Sequence, residues 1–429
     1  MCKKSLFALI IALPVLFACG GGSRRTDAEP QERRVPELIA AVPSDALAVI
    51  CYDHCLEGLA LYDSTSVLHR LDLSAFKNNR MALSLGFNGS LVPVLALDTG
   101  RAPADSTEAV VDLLAQAATL RLSAEYFHPD EEARRDGFLL ITPSEAQMTA
   151  VKRHLSEHTN ILDAPGFRQA LATADAAEFV ILRNGGAERL APKGWLQGVF
   201  PRRDLTSFLG RVADWTVLKP VSGGFTVLPV CGAGDDAYYA NILATLPFGD
   251  SRLGTILPQD TRFALAMPVS QPEMRQAVER YQDASVKLTR YKRTLEELRK
   301  ASGKDPVKWE KELGIREIAR VHFDGGAVAL VRPAKAVEDR EPAENPWRGF
   351  LSILYGSAFG LADDTHTAAY GGWYLYGNEA ALRAFLDAER PDGTGAKWPG
   401  RGCRFLVYQP DKTLAWDKKG IRLTWNSNR

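Results

Sequence analysis

Long apolar runs, surplus charge and metal-binding side chains are all scarce in this chain. Past the first 25 residues no stretch reaches the ~18 consecutive apolar residues a membrane-crossing helix needs, so none is expected there. Lys and Arg total 52 and so do Asp and Glu, which leaves a formal net charge of +0. There is no basic excess to neutralise a phosphate backbone, and nucleic acid is not an expected partner. Seven histidines and six cysteines in 429 residues leave few ligands for a soft metal.

The motifs that usually announce chemistry are missing as well. The glycine pairs at 223–224, 325–326 and 371–372 lack the Gly-x-x-x-x-Gly-Lys pattern and the strand–Gly-x-Gly-x-x-Gly–helix setting of a phosphate cradle. They read as hairpin turns and strand starts. Tyr355-Gly-Ser-Ala-Phe-Gly360 has no glycine two residues before Ser357, as a nucleophile elbow requires, and reads as close helix packing. His154 and His158 are four apart near the end of a predicted helix, where exposed histidines suit the helix dipole better than a metal. The acidic pairs Asp235-Asp236 and Asp363-Asp364 have too few oxygen neighbours for a calcium loop and read as solvated turns. No cofactor is expected.

What is present begins with residues 1–25. Lys3 and Lys4 precede an apolar run from Leu6 to Phe17, and Leu16-Phe-Ala-Cys19 ends it on a small residue followed by cysteine. That order is a secretory signal, too short to span a bilayer, and the cysteine makes it a bacterial lipoprotein signal. Residues 1–18 are therefore expected to leave, Cys19 to carry the lipid, and the net charge to fall to about −2 with the loss of Lys3 and Lys4. Residues 19–35, Cys-Gly-Gly-Gly-Ser onward, lack periodicity and read as a tether reaching at most about 55 Å. The membrane is then a partner through its N-terminal lipid alone. Gly20 follows the cysteine without an aspartate and without an acidic cluster. The outer membrane, facing the periplasm, is the expected location, with the cell surface as the alternative.

Four cysteines remain: Cys51, Cys55, Cys231 and Cys403. An envelope location permits disulfides among them, with three pairings. Cys51-Tyr-Asp-His-Cys55 also invites a zinc reading, which needs a fourth ligand, while Cys51 ending an apolar run fits a small buried hydrophobe.

The main organisational signal is an internal duplication. Pro43-Ser-Asp-Ala-Leu-Ala-Val-Ile recurs as Pro258-Gln-Asp-Thr-Arg-Phe-Ala-Leu. Two apolar segments joined by Asn88-Gly89 recur around Asp324-Gly325, a strong hairpin signal. A strand running into a helix capped by Ser144 recurs with Asn378, and Glu178-Phe-Val-Ile-Leu recurs as Arg404-Phe-Leu-Val-Tyr. The predicted class is α+β: two related lobes, 36–250 and 251–429, of mostly antiparallel sheet with helices on one face. Extra helical segments are expected around 186–212. The second lobe gains one long helix over 270–301, about 48 Å, from Met274, Val278, Tyr281, Leu288, Tyr291, Leu295 and Leu298 at helical spacing, Ser285 breaking the seam.

On these motifs, together with Ile161-Leu-Asp-Ala-Pro-Gly-Phe, Trp215, Ile256-Leu-Pro-Gln-Asp-Thr and Ile315-Arg-Glu-Ile-Ala, the chain from about 36 to 429 resembles a family of envelope lipoproteins of Bacteroidetes-type bacteria. That family carries a domain of unknown function. The resemblance implies fold and location, and no activity.

Aromatic residues concentrate late in the chain. Trp347, Tyr370, Trp373, Tyr374 and Tyr376 are the candidate binding aromatics; Trp373 with Leu375 and Tyr374 with Tyr376 are predicted on opposite faces of one strand, as core or as an exposed patch. The leading expectation is a non-enzymatic scaffold for a protein or glycan partner, the alternative an envelope hydrolase using dispersed carboxylates.

Overall fold

Asn88-Gly89 and Asp324-Gly325 each close an antiparallel ladder, as their residue types favour. The computed structural model describes residues 37–63, 65–99, 106–127, 138–186, 212–231, 238–269, 271–356, 358–391 and 398–425. The signal (1–18), the whole tether (19–35) with Cys19, Asp235-Asp236, Ser357 and most of 186–212 lie outside these residues. The fold is mixed α+β.

The first half supplies β1 (Ala48–Tyr52), β2 (Met81–Phe87), β3 (Leu91–Asp98), β4 (Ser123–Phe127), β5 (Phe138–Thr142), β6 (Phe179–Arg183), β7 (Trp215–Val221) and β8 (Gly224–Val230). Their pairings run β4-β5-β3-β2-β1-β6-β7-β8, all antiparallel. The second half supplies β9 (Phe263–Pro268), β10 (Glu317–Phe323), β11 (Gly326–Arg332), β12 (Arg340–Glu344), β13 (His366–Tyr370), β14 (Trp373–Gly377), β15 (Cys403–Gln409), β16 (Lys412–Asp417) and β17 (Gly420–Trp425). These pair as β12-β13-β14-β11-β10-β9-β15-β16-β17, again all antiparallel. Three residue pairs between β8 and β17 then join the two runs into one continuous sheet. Apart from the added β12, the two halves place their strands in the same succession.

Helices cover both faces of this sheet, a correction to the one-face expectation. The reason is in the strands: β5 (Phe-Leu-Leu-Ile-Thr) and β9 (Phe-Ala-Leu-Ala-Met-Pro) are apolar at nearly every position and buried throughout, so each face must be covered. One face carries a single core that runs through both halves. Into it pack α1 (Cys55–Leu59), α2 (Ser106–Thr119), α5 (Tyr239–Ala244), α6 (Gln271–Ala284), α7 (Leu288–Ser302), α8 (Pro306–Leu313) and α9 (Phe350–Tyr355). The opposite face carries two separate cores. The first lies under α3 (Glu145–Ser156) and α4 (Phe167–Ala174), the second under α10 (Glu379–Asp387).

Local rules explain the element ends. The Gln147 N–H donates to Ser144 Oγ at 3.2 Å and the Ala381 N–H to Asn378 Oδ1 at 2.8 Å, so α3 and α10 start on equivalent caps. Each follows a strand that ends the second hairpin of its half. Both Pro-x-Asp segments are turns, closed by Ala46 N–H to the Pro43 carbonyl and Thr261 N–H to the Pro258 carbonyl, each at 3.1 Å. The edge strand β12, Arg-Glu-Pro-Ala-Glu, carries charge and a proline, which protect an open edge.

The long helix over 270–301 is corrected to two helices, α6 and α7, which pack on each other. Between them Val286 adopts φ 56°, with its N–H donating to the Asp283 carbonyl at 2.8 Å and the Lys287 N–H to the Gln282 carbonyl at 2.7 Å. That pair of bonds is the left-handed helix stop usually built on glycine. The apolar spacing carries on across the stop, which is why a single helix fits the sequence. Met274, Val278, Tyr281, Tyr291 and Leu298 still reach one core. After these two helices α8 starts on an Asp305 cap, whose side chain accepts the Lys308 N–H.

Candidate functional site

The cysteines come apart on folding. Cys51 faces the core under α3 and α4 while Cys55 faces the continuous core on the other side of the sheet, so the Cys-x-x-x-Cys pattern does not converge on a metal. Cys231 lies in the continuous core and Cys403 in the core under α10. All four are buried free thiols, and no disulfide joins them. Burial pushes the Cys51 and Cys403 thiols up to about 12 and Cys55 to about 11. Cys55 Sγ donates to the Phe76 carbonyl at 3.0 Å and Cys403 Sγ to the Gly400 carbonyl at 3.3 Å. The readings as disulfide partners and as zinc ligands give way to small buried hydrophobes.

The five candidate aromatics do not form one surface. Trp373 packs in the core under α10 and Tyr376 in the continuous core, so the predicted alternation along β14 holds. Trp347 is buried too, stacked on Trp309 with centroids 4.3 Å apart. Tyr370 and Tyr374 are half-buried and lie under the guanidinium groups of Arg390, at 4.8 Å, and Arg340, at 5.6 Å. For Trp347, Trp373 and Tyr376 the binding-patch reading is therefore corrected to core.

His154 and His158 also separate. His154 ends α3 and its Nδ1 meets Thr159 Oγ1 at 3.0 Å, whereas His158 lies past the helix at φ 54°. Asp364 is not a solvated turn residue. It is 5% exposed, accepts the Gly349 N–H at 2.8 Å, and its carbonyl accepts Asn345 Nδ2 at 2.8 Å. Burial raises its carboxyl to about 6. Asp363 behaves differently, accepting Asn378 Nδ2 at 2.6 Å from an exposed position.

One buried polar cluster is not announced by the sequence. Glu317, fully buried at the start of β10, accepts Ser251 Oγ–H at 2.5 Å, the Arg252 N–H at 2.9 Å and Arg332 Nε at 3.2 Å. Ser251 Oγ in turn accepts the indole N–H of Trp398 at 3.0 Å and the Leu253 N–H at 3.3 Å. Gly249 bridges to Cys403 beside it. With its proton committed to Glu317 and its oxygen to two donors, Ser251 fastens the segment between the halves to β10, β11 and the 398–403 loop. Burial raises the Glu317 carboxyl above its ordinary range. Glu317 lies within Ile315-Arg-Glu-Ile-Ala, the one hint the sequence offered.

Other members of that motif set have equally architectural partners. The Trp215 indole donates to the Pro165 carbonyl at 2.8 Å and its ring meets Phe167 edge-on at 5.3 Å. Asp260 accepts the Asp324 N–H at 3.1 Å, tying the Pro-x-Asp turn to the hairpin. Two further buried groups lie on the opposite face of β10 from Glu317. Arg320 donates through Nε to His322 Nε2 at 3.0 Å and through Nη1 to the Gly360 carbonyl at 2.9 Å. Glu310 of α8 accepts the Tyr355 hydroxyl at 2.5 Å, with Arg275 at 3.7 Å.

No family model, curated protein or solved structure matches the chain. Among the described residues no helix is long and apolar enough to cross a membrane, and no group of three His, Cys, Asp or Glu side chains converges on a metal position.

Proposed function

We propose that this protein is a lipid-anchored envelope scaffold, acylated on Cys19, that holds a protein or glycan partner near the outer membrane on its periplasmic side. The observation that carries the reading is how the notable polar side chains are used. Glu317, Ser251, Arg320, Glu310 and Asp364 each bind the fold itself, which suits a rigid body more than a reaction centre. The lipobox-like Leu16-Phe-Ala-Cys19 and the polar segment after it supply the anchor, and the resemblance to Bacteroidetes-type envelope lipoproteins points the same way. The hydrolase reading needs two carboxylates flanking one bond. The buried pair that comes nearest in character, Glu310 and Glu317, serves cores on opposite faces of the sheet, which counts against it.

We further propose that residues 36–250 and 251–429 descend from one duplicated unit. The shared succession β4-β5-β3-β2-β1-β6-β7-β8 and β13-β14-β11-β10-β9-β15-β16-β17, the matched Pro-x-Asp turns and the matched caps Ser144 and Asn378 support it.

Crosslinking in intact cells followed by affinity capture tests the scaffold role. A protein or glycan enriched over an unrelated lipoprotein of equal abundance is the expected result. Recovery of abundant bystanders alone would reject a specific partner.

A further inference from the structure

The polar groups described so far answer to one another; Arg404 does not. It is the extra residue of a bulge in β15. Across the ladder with β16, Cys403 faces Asp417 and Phe405 faces Trp416, which leaves Arg404 with no opposite residue. Bulges re-aim a side chain. Here the guanidinium comes to lie against two rings, 4.2 Å from the centroid of Phe248 and 4.8 Å from that of Trp416. The Gly249–Cys403 bridge brings Phe248 alongside.

What Arg404 lacks is an oxygen. Four other arginines lie over rings among the described residues: Arg183, Arg332, Arg340 and Arg390. Each of them also donates to a carbonyl, carboxylate or hydroxyl of the chain. Arg404 donates to none of the described residues, and its Nε is buried without an acceptor. Asp417, opposite Cys403, is held instead by Arg422 and by the Lys419 N–H at 2.7 Å. Burial lowers the hold of Arg404 on its proton and no neighbouring carboxylate offsets that, yet a guanidinium stays charged in a protein. The fold thus keeps a half-buried cation without a counter-charge. Nor does the recurring motif require it, since the first-half counterpart of Arg404-Phe-Leu-Val-Tyr begins with Glu178.

We propose that Arg404 is the receptor for a carboxylate on an acidic peptide segment of the partner. The two rings hold the guanidinium in place, and it then offers a planar fork of N–H donors matched to the two oxygens of one carboxylate. The apolar walls lower the local dielectric, so the pair is stronger than at an open surface. A sugar acid would also need an open ring face to stack on, and Trp416 is only 4% exposed, which favours a peptide. The inference rests on the scaffold reading and names the group that the scaffold recognises.

Titration of the chain starting at residue 20 with N-acetylglutamate amide tests it, with N-acetylglutamine amide as the neutral control. In protein carrying nitrogen-15 at arginine Nε, the Arg404 signal is the one missing from Arg404→Lys. It should move saturably in the millimolar range with the glutamate probe and stay still with the glutamine probe. In parallel, about 20 mM glutamate probe should raise the melting temperature above that in chloride of equal ionic strength. That rise should vanish in Arg404→Gln and shrink severalfold in Arg404→Lys, which keeps the charge but loses the fork. A purely structural Arg404 would instead lower the melting temperature of Arg404→Gln equally in both salts. A signal that stays still, an equal response to the neutral probe, or a rise that survives Arg404→Gln would overturn the proposal. Tighter binding of glucuronate than of the glutamate probe would overturn the peptide assignment. The scaffold reading is judged separately, because crosslinking can still recover a partner held elsewhere on the surface.

Discussion

The carbonyl oxygen of Leu423 in β17 occupies the space where a side chain on Gly224 of β8 would begin. A Cβ built there would collide with that oxygen and press on the Leu423 carbonyl carbon at 2.9 Å. Gly224 is thus needed for close approach at the seam that joins the two halves, where only three residue pairs carry the ladder. Gly223, its neighbour, has open space around it and φ 77°, so its demand is conformational.

The two glycines should therefore fail differently. Gly224→Val should cost about 2–3 kcal/mol by overpacking and should speed exchange of the Trp425 amide, which donates to the Gly223 carbonyl at 3.2 Å. Gly223→Ala should cost about 1 kcal/mol and leave that amide protected. Urea unfolding with amide exchange at β17 separates the outcomes. An unaffected Trp425 amide in Gly224→Val would contradict the seam assignment.

Two buried groups give stability opposite dependences on pH. Burial, and then the Arg320 guanidinium, hold His322 down at about 3, below its unfolded 6.5. Its contribution is present above pH 6.5 and is lost as pH falls toward 3, because only the unfolded chain takes up that proton; the loss amounts to a few kcal/mol on the order of the shift. Asp364 is raised to about 6 from 3.8, so its contribution is full below about pH 4 and lost as pH rises through 6. Solvent screening reduces that term to about 1–2 kcal/mol. Urea midpoints taken from pH 7 to pH 3 should show a shallower acid decline in His322→Gln. In Asp364→Asn the gain between pH 6 and 4 should vanish, with stability at pH 7 kept or improved. A profile for His322→Gln that overlays the parent would contradict the buried Arg320–His322 pairing.

The thiols offer a chemical check on the cores. In the chain beginning at residue 20, none of Cys51, Cys55, Cys231 and Cys403 should react with a thiol reagent in the native state, and all four should react in denaturant without prior reduction. A titre that reaches four only after reduction would mean that a disulfide forms.

Much of this arrangement could be read from the chain. The hairpins at Asn88-Gly89 and Asp324-Gly325, the caps Ser144 and Asn378 and the face alternation of Trp373 and Tyr374 are local rules, and each appears where its residues stand. What escaped depends on context. Val286 stops a helix in a position where glycine is the usual signal, and the apolar spacing runs on past it. Ser251 and Glu317 are 66 residues apart, so their contact exists only once β10 is laid beside the segment between the halves. Asp364 resembles its exposed neighbour Asp363 in every local respect, and only the fold distinguishes them. The aromatic cluster misled for a related reason, since Trp347 and Trp373 are close in sequence yet belong to cores on opposite faces of the sheet.

The lipid anchor at Cys19 decides where the proposed scaffold works. Mass spectrometry of the N-terminal peptide released from the membrane fraction measures it directly. The predicted peptide begins at Cys19 with a diacylglyceryl group on sulfur and is lost from the membrane in Cys19→Ala. A peptide that retains residues before Cys19, or that begins at Cys19 with a free thiol, would contradict it.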